Sequence, residues 1–553
     1  MKAKKITPEP GPSNQKDRSL LLLLAAGILG LLVSVTFYLT YPINAGQSDN
    51  PTFMSMIISG RSNLMHASGY PALVHFFTYK ALPILPPVAS LTEVPPDAWF
   101  QALQRVQLVV HLSLFLISLC LCAKAFNNSV AAIFALGWGC NALFISNVNA
   151  IAPEWLQGHA LILSLLLHAY ARRLAGKGKM LVYSLAAGVF ATAYLIKFNS
   201  LLFAICLVAF LVFDKESWPF KFTQMGCSVA AYLFVIWAYV SFYHLPTTGT
   251  RELTYDHAWV LTAALPDDYE TAAPERLGTN SLRWAALVRV TPPEYFRAGG
   301  IDNVSFGPPP EVRQQFAEQF TRITNASREE LIQYIKGQPL PAGYSHWAAA
   351  VPLYFYYGLE KTDALGIEVY RESLASHWWF HTRKIASSLA EFFVSGLNSI
   401  QTFPTFGDPL GYKFLAPDFK ASLLGKTTIV PPPDISPWTL EYYNPKGTVS
   451  FYGVKIIAAI NSLSAASVLY FVLNITALLG LFKLKSNFQR VVGYSLLLTF
   501  LAFISASGIL LGLRQKEIIA LTPAYFLLLS IGLLSAARTL NDRFGKSANN
   551  PAK

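Results

Sequence analysis

About ten apolar blocks run through this chain, and no other feature limits its fold as severely. They lie near Leu20 to Tyr41, Val106 to Cys122, Val130 to Ser146, Leu156 to Ala171, Val182 to Ile196, Leu201 to Phe213, Met225 to Phe242, Ala465 to Phe482, Val491 to Leu513 and Ile518 to Ala537. A bilayer core asks for roughly 20 apolar residues in a helix, and an open backbone cannot be left unsatisfied there. Several blocks are shorter than that, so their ends are approximate. With 53% hydrophobic and 13% charged residues, the chain reads as an α-helical polytopic membrane protein. The first block is long and lacks a small-residue cleavage site, so it is read as an anchor rather than a signal peptide.

Lysine and arginine in the short loops set the orientation. Lys2, Lys4, Lys5, Lys16 and Arg18 precede the first block, Lys124 follows the second, and Arg172, Arg173, Lys177 and Lys179 follow the fourth. Lys215 and Lys221, then Lys483, Lys485 and Arg490, then Arg538, Arg543, Lys546 and Lys553 continue the alternation. Both termini are expected to be cytoplasmic. The chain then divides into a cytoplasmic tail (1–18), a transmembrane region (19–242) whose first external loop covers 42–101, an external domain (243–464), C-terminal transmembrane helices (465–537) and a second tail (538–553). The external region is dense in Pro, Gly and charge, with helix-like pieces at Pro310 to Thr324, Ser327 to Lys336 and Leu365 to Gly396. The last of these carries His377-Trp378-Trp379-Phe380-His381-Thr382-Arg383-Lys384, a cluster suited to a membrane surface.

The formal charge of +12 raises the question of a nucleic-acid partner. Residues 243–464 hold 18 Lys and Arg against 21 Asp and Glu, so the external region is slightly acidic. The basic excess sits largely in cytoplasmic loops, where it orients the chain and meets anionic membrane lipids. No basic stripe is left for DNA or RNA. All five cysteines fall in the apolar blocks with no Cys-x-x-Cys spacing, so no thiolate metal site is suggested.

The first external loop carries the strongest chemical signal. Asp49 directly precedes Asn50-Pro51, which reads as an N-cap followed by a first-turn proline. Thr52, Ser55, Ser59, Ser62 and His66 recur at helical spacing opposite Phe53, Met54, Ile57, Ile58, Leu64 and Met65, which predicts a helix lying flat on the bilayer and ended by Gly69-Tyr70-Pro71. Pro71 to Leu85 predicts a second surface helix. Asp49 has a bland reading as part of the helix start, a role Asn50 already fills. Glu154, after Pro153, sits in the first turn of the fourth block and has an equally bland reading as a helix-start carboxylate. His159 reads as a packed polar residue. Lys197, Arg514 and Lys516 stand at external ends of blocks, where snorkelling explains them without function.

This order of signals resembles the membrane-embedded glycosyltransferases that take a sugar from a polyprenyl phosphate, the GT-C superfamily with its protein O-mannosyltransferases and lipid A aminoarabinose transferases, similar to glycosyltransferase family 39. The resemblance implies a helical membrane fold with surface helices in the first external loop and a mixed external domain. It implies that Asp49 is the catalytic residue, that Glu154 and His66 face the acceptor or cavity, and that Arg514, Lys516 and Lys197 hold the donor phosphate. A glycan, lipid or protein acceptor is implied, with an active site on the periplasmic side of a cell inner membrane and inversion at the sugar. A divalent cation is compatible with the resemblance, which leaves the metal unknown. Many O-mannosyltransferases carry Asp-Glu where this chain has Asp49-Asn50, which argues against protein O-mannosylation.

The residues also bear on chemistry directly. No Gly-rich strand-to-helix loop and no P-loop is present, which disfavours a nucleotide-sugar donor. Displacement at an anomeric carbon needs a base for the acceptor's proton and positive charge for the departing phosphate. Two alternatives stay open. An O-antigen ligase or polymerase using a diphosphate-linked glycan shares the many spans and large external loop, but usually gathers its catalytic charge in that loop. A non-catalytic lipid or solute transporter is expected to show inverted repeats and broken helices, and neither is evident.

Overall fold

The structure, a computed structural model, describes residues 12–40, 50–62, 64, 66–88, 95–213, 216–255, 257–266, 269–291, 310–341, 344, 349–350, 353–354, 357–395, 467–510 and 515–548. The protein is helical and multi-pass. Six helices are long and apolar enough to cross a membrane, and three shorter apolar ones stand beside them, among the described residues. In chain order the membrane helices are α1 (Pro12–Thr40), then, after the loop helices α2 (Asn50–Ser59) and α3 (Gly69–His75), α4 (Asp97–Ala125), α5 (Asn128–Gly139) with its short continuation α6 (Ala142–Val148), α7 (Glu154–Ala171) and α8 (Gly176–Ile196). A 3-10 turn at Phe198–Phe203 leads into α9 (Ala204–Val212), followed by α10 (Trp218–Tyr239). The first seven apolar blocks therefore all fall on helical segments, the third divided between α5 and α6 and the sixth between the 3-10 turn and α9.

Local chemistry sets several boundaries. Asn127 caps α5 through its side chain to Val130 N (2.9 Å), and Asn141 caps α6 through Phe144 N (2.8 Å). The expected single span from Val130 to Ser146 is thus broken at Cys140, because Asn141 offers its own carbonyl to a new helix start. The expected surface helix is also divided. It ends at Ser59, since Gly60 takes φ 66°, a conformation that side chains disfavour. Gly69-Tyr70-Pro71 then begins α3 instead of ending a helix, because proline in a first turn forfeits no hydrogen bond. α3 runs on into a π-helical turn at Phe76–Ala81. Nor does α2 rest its apolar side on lipid: Phe53, Met54, Met56 and Ile57 are buried in the same cluster as the transmembrane core.

The region 243–464, expected to be external, begins with α11 (Leu245–Thr248) and α12 (His257–Thr262), and continues with α13 (Thr279–Val290), α14 (Pro310–Asn325), α15 (Arg328–Gly337), α16 (Leu359–Ser376) and α17 (Trp378–Ser395). Its described residues are helical and build a separate apolar core from Leu282, Trp284, Leu287, Leu353, Tyr354 and Val369. Ser327 and Glu330 form a reciprocal capping box on α15. The expected helix from Leu365 to Gly396 is two helices. The break falls at His377, whose ring packs on Tyr269 (5.3 Å) while Ser376 Oγ bonds its Nδ1 (2.8 Å). The chain closes with α18 (Ser467–Phe482), α19 (Asn487–Leu510) and α20 (Gln515–Ala548).

α7 is the hub, buried over nearly its whole length and packed on α4, α8, α9 and α20. α10 is its opposite, with Leu233, Phe234 and Trp237 exposed as on a helix facing lipid. Helices in a membrane gain little from excluding water, so close packing at small residues must supply the cohesion. A Cβ on Gly30 of α1 would lie 3.1 Å from Gly139 Cα of α5, and one on Gly480 of α18 would run into the Gly532 carbonyl of α20.

The bundle has two unlike ends. At one, Arg172 and Arg173 lie over the Phe488 ring (5.4 and 5.5 Å), Arg173 Nε donates to Ala125 O (2.9 Å), and Lys179 pairs with Glu216 (2.9 Å). Lys485 pairs with Asp542 there (2.8 Å). At the other end lie Glu154, Lys197, α2, α3 and the helices that follow α10. Basic residues collect on the cytoplasmic side of membrane proteins, so an alkaline phosphatase fusion near Lys177 is expected to be inactive. Phosphatase activity from that fusion would reverse the topology.

Candidate active site at the acidic end of the bundle

Glu154 starts α7 directly after Pro153, and its carboxylate is buried, 4% exposed. A buried carboxylate is costly unless paired. Lys197, in the turn between α8 and the 3-10 segment, supplies the partner: its Nζ stands 3.0 Å from Glu154 Oε1. That turn is held from two sides. Lys197 N donates to Ala193 O (3.0 Å), and Ser200 Oγ to the same carbonyl (2.9 Å). Gln157, one helical turn below Glu154, donates Nε2 to Asn199 Oδ1 (2.6 Å) and Ser200 Oγ (2.7 Å). The pair is therefore fixed by the same helix that presents the acid.

α3 closes over this pair. Gly69 lies so near α8 that a Cβ there would enter the Leu195 carbonyl and the Ile196 amide. Tyr70 follows it fully buried, its ring edge-on to Trp155 (6.5 Å) and to Phe53 (6.0 Å). Its hydroxyl donates to Gln107 Oε1 (2.8 Å), and Gln107 Nε2 donates to Val148 O (2.6 Å) and Ala150 O (2.9 Å). Burial, and then the negative charge of Glu154, push the Tyr70 phenol above its ordinary pKa, so it remains a donor.

His66 is half-buried, with its ring 5.9 Å from Phe53. The loop carrying it is fastened to the end of α10. Ser62 Oγ bonds His244 Nδ1 (2.7 Å), whose Nε2–H donates to Glu252 O (2.7 Å), and Tyr255 N donates to Leu64 O (2.7 Å). His159 packs in the bundle as expected, with Nε2 on His111 Nδ1 (2.8 Å), and His111 Nε2 reaches Ser34 Oγ (3.0 Å).

The structure thus brings Glu154 and Lys197 together and sets α3 against α8 beside them, while α2 and His66 are linked to α3 through the Phe53 ring. Asp49 and Arg514 lie outside the described residues, as does the side chain of Lys516. The backbone of α20 does reach the site, since Gly158 on α7 packs against Ala520, one turn after Lys516. Lys384 of α17 donates to Leu510 O (2.7 Å) at the adjacent end of α19. Among the described residues no group of three His, Cys, Asp or Glu stands close enough to hold a metal ion. Glu154 Oε1 is engaged by Lys197.

Gln107, Gln157 and Asn199 were not singled out from the sequence. Each is an isolated amide in or beside an apolar stretch, and the available signal was only that a polar residue inside a span is costly.

No family model matches the chain, and no curated protein sequence matches it. Solved structures similar to it include the archaeal oligosaccharyltransferase AglB from Archaeoglobus fulgidus in complex with an inhibitory peptide and a dolichol-phosphate. That match has a TM-score of 0.42 at 10% identity and covers 98% of this chain and 52% of that one. Another is an Archaeoglobus fulgidus oligosaccharyltransferase tethered to an acceptor peptide containing the NVT sequon, with a TM-score of 0.29 at 12% identity, covering 82% of this chain and 54% of that one. This chain spans about half the length of those proteins, and at these scores neither likeness decides its family.

Proposed function

We propose that the protein is a membrane glycosyltransferase of GT-C type, which moves a sugar from a polyprenyl phosphate to a glycan, lipid or protein acceptor at the Glu154 end of the bundle. The observation that carries this reading is the buried Glu154–Lys197 pair beneath α3, at the end of the bundle where the external region packs. Asp49 directly precedes α2 in sequence. In the reaction an acceptor oxygen attacks the anomeric carbon while the bond from that carbon to the phosphate oxygen breaks. The acceptor's proton passes to Asp49, and the bonding electrons leave on the lipid phosphate. Lys197, with Arg514 and Lys516, supplies the positive charge that the leaving phosphate needs. Glu154 holds the Lys197 ammonium in place and is assigned, with His66, to the acceptor side. We assign residues 243–464 to an external, acceptor-side domain and the Glu154 end to the periplasmic face of an inner membrane.

The leaving-group assignment is tested by varying the donor at saturating acceptor. Arg514→Ala is expected to weaken the donor's apparent affinity and slow transfer, and Arg514→Lys to recover only part of it, because lysine lacks the two-pronged phosphate contact. A change confined to the acceptor's affinity would remove Arg514 from the phosphate site. Turnover of a diphosphate-linked glycan, with none from the monophosphate donor, would favour a ligase.

A further inference from the structure

α17 opens on Trp378 and Trp379, and both indoles are turned outward, 62% and 65% exposed, with their rings 5.6 Å apart. Single exposed apolar side chains are ordinary, but an adjoining pair of indoles calls for a cover. The rest of the helix is fixed. His381 Nε2 bonds Ser373 Oγ (3.1 Å), Lys384 Nζ donates to Leu510 O (2.7 Å) and Ala264 O (3.3 Å), and Leu389 packs on the transmembrane core.

Leu510 gives the height of the pair. α19 has 24 residues, so it is about 36 Å long, slightly more than a hydrocarbon core of about 30 Å. Its last residue therefore stands at the edge of the hydrocarbon at the Glu154 end. Trp379 and Trp378 precede Lys384 by five and six residues, about 8–9 Å along the helix axis. Leu389, on the other side of Lys384, is on the membrane side. The indoles thus project into the headgroup layer, where tryptophan is enriched because its ring is apolar and its N–H is polar. Arg383 is exposed one turn after Trp379. Helical side chains lean toward the amino terminus, which carries its guanidinium toward the indoles and the lipid phosphates.

We propose that Trp378 and Trp379 form a lipid-docking face that seats the external region on the leaflet at the Glu154 end. The occupant is the headgroup–acyl boundary of the bilayer. This inference rests on the transmembrane reading and is independent of the chemistry proposed above. The test uses the full-length protein in phosphatidylcholine vesicles, either plain or with acyl chains brominated near the headgroup. The chain has 11 tryptophans, so emission of the parent minus that of the Trp378→Phe/Trp379→Phe variant isolates the pair. The expected result is loss of that difference emission with brominated lipid and no loss with aqueous iodide. Quenching by iodide alone overturns the proposal, because the pair is then bathed in water. Quenching by neither also overturns it, because protein then covers the indoles.

Discussion

Asp49→Asn is expected to lower the rate of sugar transfer about a hundredfold or more, the usual scale for a positioned general base. The amide keeps the size of the side chain and its ability to accept a hydrogen bond, so helix α2 should start as before and the protein should insert normally. What is lost is only the capacity to take the acceptor's proton. The check is a steady-state comparison of kcat and kcat/KM for purified parent and variant, with equal thermal midpoints as the control for folding. A variant within about threefold of the parent would reduce Asp49 to a structural residue preceding α2.

The second large effect concerns the Glu154–Lys197 pair, and it separates stability from activity. Lys197→Met removes the ammonium and leaves a buried carboxylate without its counter-charge. The expected loss of stability is about 3 kcal/mol, near the low end for breaking a buried pair because Lys197 keeps some exposure. Adding Glu154→Gln should return most of that stability, since the second variant no longer buries an uncompensated charge. Transfer should stay low in both, because neither offers the Lys197 ammonium to the leaving phosphate. The measurement is a thermal melt in detergent alongside a transfer assay. Recovery of activity together with stability in the double variant would make the pair a structural staple with no part in the chemistry.

The spans were legible because each is a property of a contiguous stretch. A block such as Val182 to Ile196 is apolar whatever its neighbours do, and α8 covers it. The individual residues Glu154 and Lys197 were also visible, as charges at block ends, but their partnership was not. They are separated by a full helix and back, and sequence spacing says nothing about which external ends meet. The same limit hid Gln107, whose role depends on a tyrosine in the first loop and on two carbonyls near α6. The boundary of α2 was misplaced for a different reason. Apolar periodicity continues past Ser59, and only the backbone at Gly60 stops the helix, a conformational choice that leaves the side-chain pattern unchanged.

The contact between Gly69 and the Leu195–Ile196 backbone also bears on how the site can admit anything as large as a sugar. Two main chains that touch with no side chain between them have no slack to slide, and the Lys197 turn begins at the next residue. The first loop and the ammonium therefore travel as one rigid wall. Under the proposed function, room for a sugar has to come from elsewhere at this end, where α20 begins and Lys384 of α17 holds the end of α19.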